Sequence, residues 1–200
     1  MSDAIVFHFD FSSPYSYIAS EVIDALAEKY GREVDWRPVL LGAVFQKTGQ
    51  PLLVNVPLKG EYSLRDFARS ARYHGVPFNF PAKFPLATVA AARAYYWLAG
   101  QDRGKARVFA QAAFRAYWVE GRDISEVAVL EEIAASLGID TAALAAGIAS
   151  PQVKERLRAE TDGAIAGGMC GAPFFIVDSE PFWGADRLPQ IEKWLRDGGF

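Results

Sequence analysis

The chain is poor in the side chains that build redox and metal centres. Its 200 residues include one cysteine, Cys170, and two histidines, His8 and His74. A single cysteine excludes an internal disulfide and a metal site built from cysteines. The two histidines are far apart in sequence and do not have metal-ligand spacing. We therefore expect a metal-free protein of a reducing compartment, the cytoplasm.

The chain also lacks an excess of positive charge and long apolar runs. Lys and Arg number 21 against 24 Asp and Glu, a net charge of -3, so no basic face for nucleic acid or an anionic membrane is expected. No apolar run approaches the roughly 18 to 20 residues that span a bilayer, and the first residues show no signal-peptide pattern. The composition, 51% apolar, predicts a soluble globular protein with neither nucleic acid nor membrane as a partner.

The first forty residues predict a strand, a helix and a second strand. Apolar patterning indicates a buried strand over residues 4–11, a helix over 14–30 and a strand over 33–39. Ser13 is expected to cap the helix, with Pro14 as its first residue. Two strands joined by a helix pair in parallel through a right-handed crossover.

The middle of the chain predicts helices. Residues 40–62, rich in glycine and proline, are expected to form a long irregular and functional segment, and a helix capped by Ser63 follows as far as Tyr73. Further helices are expected over residues 85–100, 103–119, 126–137, 140–148 and 151–166.

The strand pattern returns near the end of the chain. Residues 173–178 and 181–183 predict an antiparallel hairpin around Ser179-Glu180, and a last helix is expected over 186–196. The fold class is therefore α/β: residues 1–75 and 168–200 form a β-α-β…β-β-α domain, and residues 76–167 form an inserted all-α domain.

Ser13-Pro14-Tyr15-Ser16 follows the first strand and opens a helix, where a thioredoxin-like protein carries Cys-x-x-Cys. Both cysteine positions are serines here. As a cap alone, Ser13 stabilises the fold by roughly 0.5–2 kcal/mol, but a helix N-terminus also favours an anion such as a thiolate. The position suits thiol chemistry although the motif has no thiol, which predicts an enzyme that borrows one from glutathione.

Two segments near the C-terminus add candidate site residues. Pro173, before a strand, is either an ordinary strand start or the cis-proline of the thioredoxin arrangement, in which Ala172 offers backbone hydrogen bonds to a bound peptide-like thiol. Asp186 is expected to cap the last helix, and its carboxylate also suits the ammonium of a γ-glutamyl group. Arg187 is either a surface residue or the partner of a ligand carboxylate.

These motifs together resemble the 2-hydroxychromene-2-carboxylate isomerases, relatives of the kappa-class glutathione transferases in the DsbA-like thioredoxin superfamily. The resemblance covers nearly the whole chain and rests on residues 9–17, Asn55 with Lys59, residues 75–77 with 80–81, 171–173 and 183–188. It implies a thioredoxin-like domain with an inserted helical domain, and a homodimer. It also implies that Ser13 is catalytic and that glutathione is bound by Ser13, Asn55, Lys59, Ala172, Pro173, Asp186 and Arg187.

The activity implied is the glutathione-dependent interconversion of 2-hydroxychromene-2-carboxylate and trans-o-hydroxybenzylidenepyruvate in aromatic degradation. In this reaction a thiolate adds reversibly to a conjugated enone. A kappa-type transferase that conjugates electrophiles is the alternative, and a non-catalytic glutathione-binding module is a third. The missing Cys-x-x-Cys argues against a disulfide oxidoreductase.

Two further expectations concern side chains outside these motifs. Cys170 is expected to be a buried small residue or a site of mixed disulfide formation with glutathione, but not catalytic. The aromatic residues of the predicted inserted helices are expected to lie mostly in the core, with some lining a substrate site between the domains. They are Tyr95, Tyr96, Trp97, Phe109, Phe114, Tyr117 and Trp118.

Overall fold

A computed structural model describes residues 4–200; residues 1–3, which the prediction includes in the first domain, lie outside the described residues. The strands are β1 (Ile5–Phe9), β2 (Val34–Pro38), β3 (Phe174–Val177) and β4 (Glu180–Trp183). They form one sheet in the order β2-β1-β3-β4. β1 pairs in parallel with β2 and antiparallel with β3, and β3 pairs antiparallel with β4. The predicted β-α-β…β-β-α order is confirmed.

Helices form most of the remaining chain. In chain order they are α1 (Pro14–Ser20), α2 (Ile23–Lys29), α3 (Leu41–Thr48), α4 (Lys59–His74), α5 (Val89–Ala99), α6 (Arg103–Trp118), α7 (Val127–Ser136), α8 (Thr141–Ala149), α9 (Pro151–Ala166) and α10 (Leu188–Asp197). Single 3-10 turns cover Leu53–Asn55 and Ala185–Arg187. Within residues 4–200, no helix is both long and apolar enough to cross a membrane.

The segment predicted to be irregular is partly helical. It contains α3, and α4 begins at Lys59 rather than at Ser63, so the prediction of Ser63 as a helix cap is wrong. Its hydroxyl instead donates to the carbonyl of Gly60 at 2.7 Å. The earlier start depends on Gly60, because a Cβ there would lie only 3.0 Å from the carbonyl carbon of Val54.

The last helix also differs from its prediction. α10 begins at Leu188, after the 3-10 turn, and its N-cap position is Arg187 without a side-chain capping bond. The prediction that Asp186 caps this helix is therefore wrong; the Asp186 carboxylate pairs with the Arg187 guanidinium at 3.1 Å. The hairpin turn lies at Asp178 and Ser179, one residue earlier than predicted, because Glu180 already belongs to β4. Both turn residues have positive φ, which a two-residue type I′ turn requires.

Aromatic rings join the sheet to the helices. On β1, the Phe7 ring lies 5.2 Å from the rings of both Trp36 and Phe175. The Phe9 ring lies 5.4 Å from that of Phe114 on α6. One buried apolar cluster therefore runs from the sheet into the segment predicted as an inserted domain. The boundaries proposed for the two domains stay a prediction.

His8 lies on β1 and is 4% exposed, with its Nδ1 buried and without a hydrogen-bond partner. Burial, helped by the charge of Arg37 and opposed by that of Asp35, lowers the pKa of His8 to about 4. The folded protein therefore holds this imidazole neutral over a pH range in which the unfolded chain protonates it.

We expect this buried imidazole to make the fold less stable in acid. Because the unfolded chain binds the proton between pH 6.5 and about 4 and the folded protein does not, stability falls as the pH falls through this window. The contribution of His8 is about 3 kcal/mol, from about 1.4 kcal/mol per pKa unit. Urea unfolding of the wild type and of His8→Leu across this window measures it. Parallel pH profiles for the two proteins would contradict the assignment.

Candidate active site

The N-terminus of α1 is built around Ser13. Its Oγ accepts a hydrogen bond from the backbone N–H of Ser16 at 3.2 Å, and Pro14 is the first helical residue. Side-chain oxygens of serine suit this position because they pair with backbone donors that have no partner inside the helix. The predicted cap is confirmed, and Ser13 is 3% exposed.

Ser13 also joins α1 to the loop before β3. Its hydroxyl donates to the carbonyl of Ala172 at 3.0 Å, across 159 positions of sequence. The Ala172-Pro173 peptide bond is cis, as the thioredoxin arrangement implies. The backbone N–H of Ala172 donates to no other described residue, so a hydrogen-bond donor is left beside Ser13 for a ligand.

A buried carboxylate holds the turn that leads to Ser13. Asp10 is fully enclosed and accepts three hydrogen bonds: from the N–H of Ser12 at 2.8 Å, the N–H of Leu41 at 2.7 Å and the hydroxyl of Thr88 at 2.9 Å. Burial raises the pKa of Asp10, while these hydrogen bonds oppose the rise. Asp10 thus ties the end of β1 to α3 and to the segment before α5.

A cleft of about 1030 Å³ opens beside Ser13 and brings together five of the seven residues expected to bind glutathione. Those lining it are Ser13, Lys59, Ala172, Asp186 and Arg187. Pro173 is buried behind the lining. Asn55 is exposed on the 3-10 turn, between the lining residues Val54 and Val56.

The cleft has an aromatic lining that the sequence analysis did not identify. The rings come from α1, α3, α4, the loop before α5 and β4, namely Tyr15, Phe45, Tyr62, Phe67, Tyr73, Phe84 and Trp183. Six of the seven aromatic residues of the predicted inserted helices are buried in the core, as expected. None of the seven lines this cleft, so the expectation that some would line it is wrong. Several of them instead donate to backbone carbonyls in the interior, as Tyr95 does to Trp36 and Trp118 does to Phe11.

Charged side chains in the cleft are mostly paired. The Tyr15 hydroxyl donates to Asp66 at 2.5 Å, Arg69 pairs with the same carboxylate, and Asp186 pairs with Arg187. Burial and the neighbouring Asp66 raise the pKa of Tyr15, so its hydroxyl stays neutral at physiological pH. The backbone N–H of Lys59 donates to the carbonyl of Pro57, but its side-chain ammonium has no hydrogen bond or ion pair within residues 4–200, which makes the ammonium available to an anionic ligand.

Two residues of interest lie outside the cleft lining. Cys170 is half-buried, two positions before Ala172. Ser16, at the position of the second cysteine of a thioredoxin motif, is completely buried, and its Oγ has no hydrogen-bond partner. No group of three or more His, Cys, Asp or Glu among residues 4–200 is arranged to hold a metal ion.

Comparison with known proteins shows the family to which this fold belongs. Residues 4–196 match the family model of the DSBA-like thioredoxin domain. The chain is 33% identical to a 2-hydroxychromene-2-carboxylate isomerase of Sphingobium xenophagum, over 98% of this chain and 100% of that protein. It is 29% identical to glutathione s-transferase kappa 2 of Caenorhabditis elegans, over 96% and 92% of the two chains.

A solved structure agrees with these relatives. That of a 2-hydroxychromene-2-carboxylate isomerase superimposes with a TM-score of 0.88 at 27% identity, covering 97% of this chain and 95% of the other. The chain belongs to the 2-hydroxychromene-2-carboxylate isomerase family and is an enzyme of the isomerase class.

The two serines of the motif are expected to differ in how much they contribute to stability. Ser13→Ala removes the cap and the bond to Ala172, so we expect the free energy of unfolding to fall by about 1–2 kcal/mol. Ser16→Ala removes a buried hydroxyl that has no partner, so we expect no loss. Urea unfolding of both variants measures the difference. A Ser16→Ala protein destabilised as much as Ser13→Ala would contradict this description of the two hydroxyls.

Proposed function

We propose that this enzyme interconverts 2-hydroxychromene-2-carboxylate and trans-o-hydroxybenzylidenepyruvate with glutathione as its thiol cofactor. The observation that carries the proposal is the position of Ser13. Its hydroxyl lies at a helix N-terminus, beside an unpaired backbone N–H, in a cleft with aromatic walls. The relatives named as isomerases and kappa-class glutathione transferases support the same function.

The donor set of the cleft fits glutathione, a peptide with one thiol, two carboxylates and one ammonium. The Ser13 hydroxyl and the α1 N-terminus suit a thiolate, and the N–H of Ala172 suits a peptide carbonyl. Lys59 and Arg187 suit carboxylates, and the exposed carboxylate of Asp186 suits the ammonium. In this proposal Asn55 contributes from the rim of the cleft, and Pro173 supports Ala172 from behind.

When bound, glutathione would supply a thiolate that adds reversibly to the carbon β to the substrate carbonyl, with the π electrons of the double bond shifting to the carbonyl oxygen and returning when the thiolate leaves. The former double bond could rotate while it is single. In the ring form, the bond between the ring oxygen and carbon 2 would first break, with the carbon-2 hydroxyl proton passing to the phenolic oxygen. The Ser13 hydroxyl donates the hydrogen bond that keeps the sulfur ionised. Its hydroxyl hydrogen turns from the Ala172 carbonyl towards sulfur by rotation about Cβ–Oγ, while Oγ still accepts from Ser16. A hydrogen bond to the charged form lowers the pKa of a thiol.

Other residues of the cleft act on the substrate. The aromatic side chains exclude water and contact the substrate ring. The proposal also places the enzyme in the cytoplasm as a homodimer; the single cysteine suits a reducing compartment.

A kappa-type transferase is the second candidate, supported by the kappa-class relative. The same Ser13 site would then conjugate an electrophile and release the adduct. Isomerisation returns the thiol after each turnover, whereas transfer consumes one thiol for each product.

The deciding experiment follows the absorbance of o-hydroxybenzylidenepyruvate with and without glutathione, and counts free thiol at the end. We expect turnover only with glutathione and an unchanged thiol count. Stoichiometric loss of thiol would identify a transferase. Bound glutathione without any acceleration would identify a binding module.

Cys170→Ser serves as the control for a thiol of the protein itself. Because Cys170 does not line the cleft, we expect this variant to keep its activity within a few-fold. A loss of more than about a hundredfold, or about 2.7 kcal/mol of activation barrier, would show that Cys170 takes part in catalysis.

A further inference from the structure

One face of α4 forms a wall of the cleft. Lys59, Tyr62, Asp66 and Arg69 all line it, and their spacing of three and four residues places them on one side of the helix. Neither the capping of α1 nor the proposed glutathione contacts use Tyr62, Asp66 or Arg69. This face therefore needs an explanation of its own.

Arg69 is held in place by three contacts. Its Nη2 donates to the Asp66 carboxylate and to the Tyr62 hydroxyl, the latter at 2.8 Å, and its guanidinium lies 5.3 Å from the centre of the Tyr62 ring. Asp66 also accepts the hydroxyl of Tyr15 at 2.5 Å. The network thus connects Arg69 to Tyr15, two residues after Ser13.

The guanidinium keeps donors free for a ligand. Of its five N–H groups, those on Nε and Nη1 have no partner in the described structure, and the Arg69 side chain is 53% exposed. An isolated surface pair one turn apart contributes little to stability, and such a pair requires neither Tyr62 nor Tyr15. The arrangement is better suited to holding the Arg69 guanidinium in a fixed orientation, with its free N–H groups available to a ligand in the cleft.

We propose that Arg69 binds the carboxylate of the isomerase substrate, so that the enzyme selects 2-oxo carboxylates over neutral enones. Asp66 and Tyr62 are positioning residues that hold the guanidinium. The inference rests on the proposed function, in which the substrate is a 2-oxo carboxylate with an aromatic ring. Arginine suits this role because its planar fork pairs with both oxygens of a carboxylate. The other cations of the cleft, Lys59 and Arg187, are assigned to glutathione.

Ligand binding tests the proposal without turnover. The probe is 4-(2-hydroxyphenyl)-2-oxobutanoate, which lacks the double bond and cannot isomerise. Its binding is compared with that of its methyl ester by titration calorimetry in the presence of glutathione. Arg69→Gln is expected to weaken binding of the acid by about 10- to 100-fold, the range for a hydrogen bond to a charged group, and to leave binding of the ester unchanged. Arg69→Lys, which keeps the charge and loses the fork, is expected to lie in between.

Arg65→Gln is the matched control. Arg65 is exposed on the same helix, one turn before Arg69, but lies outside the cleft lining. We expect the Arg65→Gln variant to bind the acid as the wild type does. In turnover assays, Arg69→Gln is expected to raise KM for the acid by the same factor and to lower kcat less.

The outcomes separate this proposal from the proposed function. Equal binding of the acid by the wild type and Arg69→Gln, or no binding of the acid by the wild type, would overturn the role of Arg69 even in an active isomerase. A wild type that isomerises nothing but binds the acid through Arg69 would overturn the proposed function and support the carboxylate site.

Discussion

The site depends on one oxygen atom, Oγ of Ser13, which makes two hydrogen bonds in different directions. It accepts from the first turn of α1 and donates to the loop before β3. The sheet makes this possible: since β1 and β3 pair antiparallel, the end of β1 lies beside the start of β3. The helix N-terminus that favours an anion and the backbone of Ala172 are therefore held together by a residue that can also donate to sulfur.

The position of Ser13 depends in turn on Asp10. Its carboxylate accepts hydrogen bonds from residues 2, 31 and 78 positions further along the chain. A carboxylate enclosed in this way is costly to bury unless its oxygens are paired. Here the partners come from the turn, from α3 and from the segment before α5, so the helical segments fix the active-site turn as well as covering the sheet.

Local signals were sufficient to predict the order of strands and helices along the chain and the cap at Ser13, whereas Lys59 was expected at the site only from the family resemblance. Alternation, helix periodicity and capping preferences act between neighbours in sequence, and each is visible in the residues themselves. The start of α4 at Lys59 could not be found in this way, because it depends on the close approach of Gly60 to Val54. Because the helix was predicted to start at Ser63, the side of α4 that lines the cleft from Lys59 to Arg69 was not predicted. The aromatic lining was missed because its rings come from α1, α3, α4, the loop before α5 and β4, segments that are far apart in the sequence and meet only in the folded protein.

The most direct test of the role of Ser13 is the pKa of the glutathione thiol bound to the enzyme, followed by the ultraviolet absorbance of the thiolate. In the wild type we expect this pKa to lie below that of free glutathione. In Ser13→Ala we expect it to rise by about 1–2 units, the equivalent of one lost hydrogen bond to a charged group. Ser16→Ala, which keeps the Ser13 hydroxyl, is expected to leave the pKa at the wild-type value. Bound glutathione with the same thiol pKa in the wild type and Ser13→Ala would contradict the account.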